Sequence, residues 1–125
     1  MQCTPIGTVS TPITDADDAP RQGAWSDLEG RIELLADYRE ALTGFDGDRV
    51  VVVWFADRAD RSVRTYDRDG PRGVFTTRTP DRPNPVCITV CDVLAVEESA
   101  LVVRGVDMLD ATPVLDLKPP VGGGE

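Results

Sequence analysis

Apolar and polar residues alternate along much of the chain, and this pattern is typical of half-buried strands. The segment 49–56 (RVVVVWFA), in which every residue after Arg49 is apolar, instead predicts a strand with both faces buried. The strand that ends at Val96 is expected to turn at 97–99 and form a hairpin with the strand that follows. The predicted strands lie at residues 6–9, 31–35, 49–56, 73–77, 86–96 (from two overlapping runs, 86–90 and 88–96), 100–106 and 114–117.

One short helix is predicted over residues 38–42. Asp37 is expected to cap it, with Glu40 completing a capping box, and Gly44 to end it. Six or seven short strands with proline-marked turns favour a fold that is mainly β, a single compact barrel-like domain. The domain is expected to span 1–121, followed by a disordered tail at 122–125.

A rigid loop is predicted between the strands at 73–77 and 86–90. Its three prolines fix the backbone and cannot lie inside a helix or sheet. Such a loop presents its polar side chains in set positions, as a binding site requires, although a stiff surface crossover would have the same sequence. The polar side chains are Arg78, Asp81, Arg82 and Asn84.

The segment 57–69 is predicted to be a long polar connection. It contains arginines at 58, 61, 64 and 68 among several aspartates. Two interpretations are open: a mobile arginine-bearing loop over a site, or a solvated run of mutually paired charges.

The composition limits the possible functions. The chain has 125 residues, enough for one domain, and a net charge of −9, which disfavours broad non-specific nucleic-acid binding but leaves a local basic patch possible. No apolar run is long enough to span a bilayer, and the first residues do not resemble a signal peptide. We therefore expect a cytoplasmic protein that does not contact the membrane.

The chain contains no histidine, which excludes catalytic triads, Cys–His dyads and histidine-ligated metals within it. Proton transfer would fall to Asp, Glu, Tyr or Lys. Three cysteines, Cys3, Cys87 and Cys91, lack the spacing of a zinc site, so no metal is expected. The glycine-rich dinucleotide fingerprint and the P-loop are both absent.

Several segments together resemble the TsaA-like family. That family includes the S-adenosylmethionine (SAM)-dependent methyltransferase of threonylcarbamoyladenosine in the tRNA anticodon loop. The resemblance implies a β-barrel homodimer that binds SAM near the subunit interface. The matching segments, in order, are PIGTV (5–9), PRQ (20–22), YREALTGFDG (38–47), VVVVWF (50–55), GVFTTRTPDRPNP (73–85) and DMLDATPVLDLKP (107–119).

The resemblance also implies which residues form the site. Asp116 and Lys118 match a polar pair near the transfer site, although a salt bridge that fixes the last strand is an equally good interpretation. Two segments are expected to bind the cofactor. Their residues are Phe75, Thr76, Arg78, Asp81, Arg82, Asn84, Pro85 and Val86 from the first, and Asp107, Leu109, Asp110 and Thr112 from the second.

The methyl acceptor stays open between tRNA and a small molecule, and a non-catalytic SAM-binding protein is a further alternative. The family usually has histidine where this chain has Asp81, and glycine where it has Cys87 and Ala111. Arginines that face the pocket would favour RNA, whereas arginines paired with aspartates elsewhere would favour a small molecule. These are Arg58, Arg61, Arg64, Arg68 and Arg72.

Overall fold

The fold is a closed antiparallel barrel of six strands, with a separate two-stranded hairpin beside it. The computed structural model describes residues 1–15 and 27–121, without the side chain of Asp67; the predicted tail 122–125 and the PRQ segment lie outside them. The strand order around the barrel is β1-β2-β7-β6-β3-β8, and β4-β5 is the hairpin. The strands are β1 (Gly7–Ser10), β2 (Glu29–Leu34), β3 (Arg49–Phe55), β4 (Arg64–Asp67), β5 (Gly70–Gly73), β6 (Val86–Val96), β7 (Ala100–Arg104) and β8 (Thr112–Lys118).

The barrel interior is an aliphatic core built from the inward positions of the strands. On β3, Val50 and Val52 point inward, while Val51 is also nearly buried on the outer face. The prediction of a strand buried on both faces is thus confirmed for its first half. The core residues are Val9, Ile32, Leu34, Leu42, Val50, Val52, Cys91, Leu101, Val103, Val106, Met108 and Val114.

The backbones of β1 and β2 approach each other closely at Gly7. A Cβ atom on Gly7 would lie 2.1 Å from the carbonyl oxygen of Glu33, so only glycine fits. The pair Glu29-Gly30 is typical of a turn in sequence, but both residues lie within β2, where a Cβ atom on Gly30 would come within 2.8 Å of Val106 Cγ1.

The predicted helix is present, but it is a 3₁₀ helix over Ala36–Leu42. It begins one residue before Asp37, with Leu35 at the N-cap and no capping side chain. The predicted capping box is therefore wrong, and a backbone bond from Tyr38 N–H to Leu35 O closes the first turn instead. The chain leaves the helix at Gly44, which has a φ of 81°.

Two other predictions need correction. The predicted strand 73–77 is a short 3₁₀ helix over Val74–Thr76, because the hydroxyls of Thr76 and Thr77 donate to the carbonyls of Gly73 and Val74 and bend the chain. The predicted polar connection contains β4, which pairs with β5 across a turn at Gly70 with φ of 104°. The hairpin of β6 and β7 is confirmed.

Candidate functional site

A cleft of about 1460 Å³ opens at one end of the barrel. This exceeds the ~300–1,000 Å³ that is usual for one small ligand, so the cleft has room for two reactants. Four parts of the chain form its walls: the end of β3 with the loop after it, the β4–β5 hairpin, the proline-rich loop with the start of β6, and the β7–β8 loop. The lining residues include Trp54, Asp57, Arg58, Asp60, Tyr66, Arg72, Phe75, Arg78, Asp81, Arg82, Val86, Cys87, Ile88, Asp107, Leu109 and Thr112.

Arg82 stabilises the proline-rich loop from within. Its Nη1 donates to the carbonyls of Thr77 and Thr79, both at 3.1 Å, and its guanidinium lies 5.9 Å from the centre of the Phe75 ring. The loop thus gains fixed geometry from a cation–π contact and two charge-assisted hydrogen bonds, in addition to its prolines.

The same loop is fastened to the segment that follows β3. The carboxylate of Asp81 accepts a hydrogen bond from the backbone N–H of Asp60 at 3.0 Å, and Arg61 donates to the carbonyl of Pro83 at 2.9 Å. Two walls of the cleft therefore form one connected unit.

The β7–β8 loop is held against the end of β1. The carboxylate of Asp110 accepts from the N–H of Thr11 at 3.0 Å, and the Thr11 hydroxyl donates to Met108 O at 2.9 Å. Across the cleft, Arg58 donates to the carbonyl of Asp110 at 2.6 Å and to the hydroxyl of Thr112 at 3.3 Å. These contacts place Thr112 on the cleft wall.

A hydrogen-bonded chain leads from the barrel interior to the cleft. The indole N–H of Trp54 donates to the Thr89 hydroxyl at 3.0 Å, which in turn donates to Oδ1 of Asp107 at 2.6 Å. Thr89 is only 4 % exposed. A hydroxyl has one proton to donate and lone pairs that accept. Because the indole N–H occupies an acceptor position of the Thr89 hydroxyl, the Thr89 proton points toward Asp107. This arrangement orients the Asp107 carboxylate.

Burial keeps the two cysteines of β6 protonated at neutral pH. Burial raises the pKa of Cys87 to about 11, with Arg82 lowering and Asp107 raising it to smaller extents. Burial raises the pKa of Cys91 to about 12, and the charges of Asp107 and Asp92 add to the rise. A protonated thiol is a poor nucleophile, so Cys87 lines the cleft without supplying a reactive thiolate.

The cleft carries both signs of charge. Four arginines and four aspartates line it, so neither a simple anion nor a simple cation matches it alone. Within residues 1–15 and 27–121, no group of three or more Cys, Asp and Glu side chains is placed to hold a metal ion. In the same part of the chain, no helix is long and apolar enough to cross a membrane.

The structure brings most of the predicted site residues together. Those that line the cleft are Phe75, Arg78, Asp81, Arg82, Val86, Asp107, Leu109 and Thr112. Thr76, Asn84 and Pro85 belong to the same loop but do not line the cleft, and Pro85 is buried. The carboxylate of Asp110 is engaged with the backbone of Thr11, so this residue fixes the loop.

The predicted catalytic pair lies elsewhere. Lys118 Nζ and Asp116 Oδ2 form an ion pair of 2.7 Å on β8, and neither residue lines the cleft. Their partners in the sheet, Val51 and Val53, alternate with the core residue Val52, which places the pair on the outer face of the barrel. This contact agrees with the alternative interpretation, in which the two residues form a salt bridge on the last strand.

Sequence reasoning missed Trp54 and Thr89. Both lie at inward positions, Trp54 opposite Cys87 and Thr89 opposite Val52 in the β3–β6 register. A lone polar residue at an inward position of an apolar strand was the available signal for Thr89, since a buried hydroxyl requires a partner.

The family model for the tRNA-methyltransferase O N-terminal domain matches residues 8–122, and the chain belongs to this family. A probable S-adenosyl-L-methionine-binding protein of Halobacterium salinarum is 53% identical over 122 residues, covering 95% of this chain and 98% of that protein. An S-adenosyl-L-methionine-binding protein of Archaeoglobus fulgidus is 41% identical over 118 residues, covering 91% and 85%. A mouse tRNA (adenine(37)-N6)-methyltransferase is 53% identical over 47 residues, which are 38% of this chain and 11% of that one.

Solved structures agree with the barrel. The crystal structure of TrmO from Pseudomonas aeruginosa has a TM-score of 0.83 at 32% identity and covers 97% of this chain. A second crystal structure of TrmO from the same organism has a TM-score of 0.81 at 33% identity. The present chain spans 56% and 55% of these two chains, respectively.

Proposed function

We propose that the protein is a SAM-dependent methyltransferase whose acceptor is an adenosine in tRNA. One observation carries the proposal: two segments that the sequence separates by more than twenty residues lie on the walls of one cleft. They are the proline-rich loop and the segment from Asp107 to Thr112, both expected from the family resemblance to bind SAM. Membership of the tRNA-methyltransferase O family and the name of the mouse relative support this reaction, and the names of the Halobacterium and Archaeoglobus relatives support SAM binding.

The chemistry of the cleft fits the cofactor. Arg78 and Arg82 offer guanidinium groups for a carboxylate, and the oriented carboxylate of Asp107 suits an ammonium group or a sulfonium. Phe75 and Leu109 supply apolar surface for an adenine ring. What SAM contributes when bound is a methyl group already activated on a sulfonium.

The task left to the protein is alignment. Fixed loops on both walls hold the binding groups in place, which favours a close approach of donor and acceptor. The proton of an acceptor nitrogen would pass to a carboxylate or to water, because the chain has no histidine. Asp57, Asp60, Asp81 and Asp107 are the carboxylates that line the cleft.

The first test is calorimetric titration with SAM and with S-adenosylhomocysteine. We expect saturable binding by the wild-type protein and a large loss in Arg82→Ala and Asp107→Ala. Arg104→Ala is the matched control, since Arg104 pairs with Asp92 away from the cleft and should bind as wild type. No binding by folded wild-type protein would refute the proposal.

The second test is transfer of a labelled methyl group from SAM to tRNA that carries the threonylcarbamoyl modification. Labelled tRNA supports the proposal, whereas SAM binding without transfer to any tRNA favours a SAM-binding protein or a small-molecule acceptor. The homodimer implied by the family resemblance stays a prediction, and sedimentation velocity measures it directly.

A further inference from the structure

The basic residues of this acidic chain are concentrated in one stretch. Residues 58–82 contain seven arginines and four aspartates, a net charge of +3. The rest of the chain has six basic and eighteen acidic residues, a net charge of −12, which together give the −9 of the whole chain. The stretch includes the β4–β5 hairpin and part of the proline-rich loop, and four of its seven arginines line the cleft, namely Arg58, Arg72, Arg78 and Arg82.

The two groups of basic residues also differ in their partners. Outside the stretch, four of the five basic residues that the structure describes pair with acidic side chains, namely Arg31, Arg39, Arg104 and Lys118. Within it, Arg64, Arg68 and Arg78 are exposed and form no ion pair with any side chain that the structure describes. Exposed guanidinium groups of this kind bind phosphate oxygens, often with both nitrogens.

Exposed aromatic rings accompany these arginines. Tyr66 on β4 is 72% exposed and Phe75 is 80% exposed, and both line the cleft. Aromatic rings are usually buried in folded proteins, so two exposed rings at one cleft mouth indicate a binding surface. Aromatic rings beside arginines are the chemistry of single-stranded nucleic acid recognition, in which bases stack on the rings and phosphates pair with the cations.

From this arrangement we infer that the β4–β5 hairpin is an RNA-docking arm that brings a single-stranded loop to the cleft, with Tyr66 stacking on a base and Arg64 and Arg68 binding the backbone. The inference rests on the proposed function and extends it to a surface outside the SAM-binding segments. A stretch of net charge +3 at residues 58–82, on a chain that carries −12 elsewhere, also explains how an acidic protein would accept RNA in one orientation only.

The experiment measures binding of a fluorescein-labelled RNA stem–loop by anisotropy over a range of salt concentrations. We expect Tyr66→Ala to weaken binding by about fivefold or more, as loss of one stacked base does, and Tyr66→Phe to bind as wild type. Arg64→Gln and Arg68→Gln should each lower the slope of log affinity against log salt by about one or less. Arg39→Gln removes the same charge at a residue that pairs with Glu98 and does not line the cleft, and it should change neither quantity.

Control measurements separate this inference from the proposed function. SAM binding is titrated on every variant, and we expect it to be unchanged in Arg64→Gln and Arg68→Gln, because neither arginine lines the cleft. RNA affinity and salt slope that are equal in wild type and hairpin variants overturn the docking arm even if SAM binds. A change of oligomeric state in the hairpin variants, with RNA affinity unaltered, would instead assign the arm to contact between two copies of the chain.

Discussion

Replacing Thr89 by valine tests whether the Trp54–Thr89–Asp107 chain prepares the cleft for its ligand. Valine keeps the volume of the side chain but removes the hydroxyl, which is almost completely buried. The change breaks one hydrogen bond to a carboxylate, worth about 1.5–3 kcal/mol, and one between neutral groups, worth about 0.5–1.5 kcal/mol. Trp54 and Asp107 both line the cleft, so water replaces part of the lost hydrogen bonding. We therefore expect the unfolding free energy to fall by about 2 kcal/mol.

The effect on SAM affinity separates orientation from stability. In Thr89→Val the Asp107 carboxylate loses its fixed direction and forms a weaker bond to the ammonium group of SAM. A loss of about 1.4 kcal/mol in binding free energy lowers SAM affinity tenfold. Thr89→Ser retains the hydroxyl and should bind SAM nearly as wild type, although it loses a methyl group from the core. Urea denaturation and calorimetric titration of both variants provide the two quantities. Equal SAM affinity of the valine variant and the wild type, or equal weakening in valine and serine variants, would refute the reasoning.

Three further predictions concern backbone and thiol chemistry. Ala111→Gly should raise stability by up to about 1 kcal/mol in thermal unfolding, because Ala111 has a φ of 67°, which favours glycine; no gain would contradict the strain. Gly7→Ala should cost about 1–3 kcal/mol or more, since its Cβ atom would meet Glu33 O, whereas Gly47→Ala has room and serves as the control. At neutral pH iodoacetamide should modify exposed Cys3 before Cys87, whose raised pKa leaves little thiolate until the pH approaches about 11; equal rates measured by mass spectrometry would contradict this.

The barrel could be predicted from the sequence because each of its strands has a recognisable pattern of apolar residues. Valine runs and alternating positions fix which face of β3 and β6 is inward, and the β6–β7 hairpin follows from adjacency alone. The β4–β5 hairpin was missed, since RTYD has little apolar character and pairs only with GPRG across a glycine turn. Hydrophobic periodicity does not predict a hairpin in which the side chains that the structure describes are exposed or only half-buried.

The cleft was predictable only in part, for a similar reason. The motif residues of two segments were found, because they are polar residues at set spacings in a proline-rich context. Their division into wall and support was not, since Asp107 and Asp110 look alike in sequence. Asp107 lines the cleft and receives the Thr89 hydroxyl, whereas Asp110 accepts the N–H of Thr11, and both distinctions depend on contacts between distant parts of the chain.

The position of Asp116 and Lys118 bears on how a complete site could form. On one chain the pair lies on the outer face of β8, with side chains 48% and 63% exposed, and outside the cleft of the same chain. A catalytic role for the pair therefore requires a second chain that presents its own cleft to this face. A purely structural role requires no partner and predicts that Lys118→Ala remains active.

Mixing two inactive variants distinguishes these cases. Asp107→Ala removes a cleft residue and Lys118→Ala removes the pair, so a mixed dimer retains one site with both groups intact if the site is shared. Unfolded together and refolded as a mixture, the variants should then recover about a quarter of the wild-type methyl transfer, because half of the dimers are mixed and one of their two sites is whole. Recovery would place the pair in the partner's cleft. An inactive mixture of two folded, dimeric variants would rule out sharing, and an active Lys118→Ala on its own would leave the pair as a surface ion pair of little energetic weight.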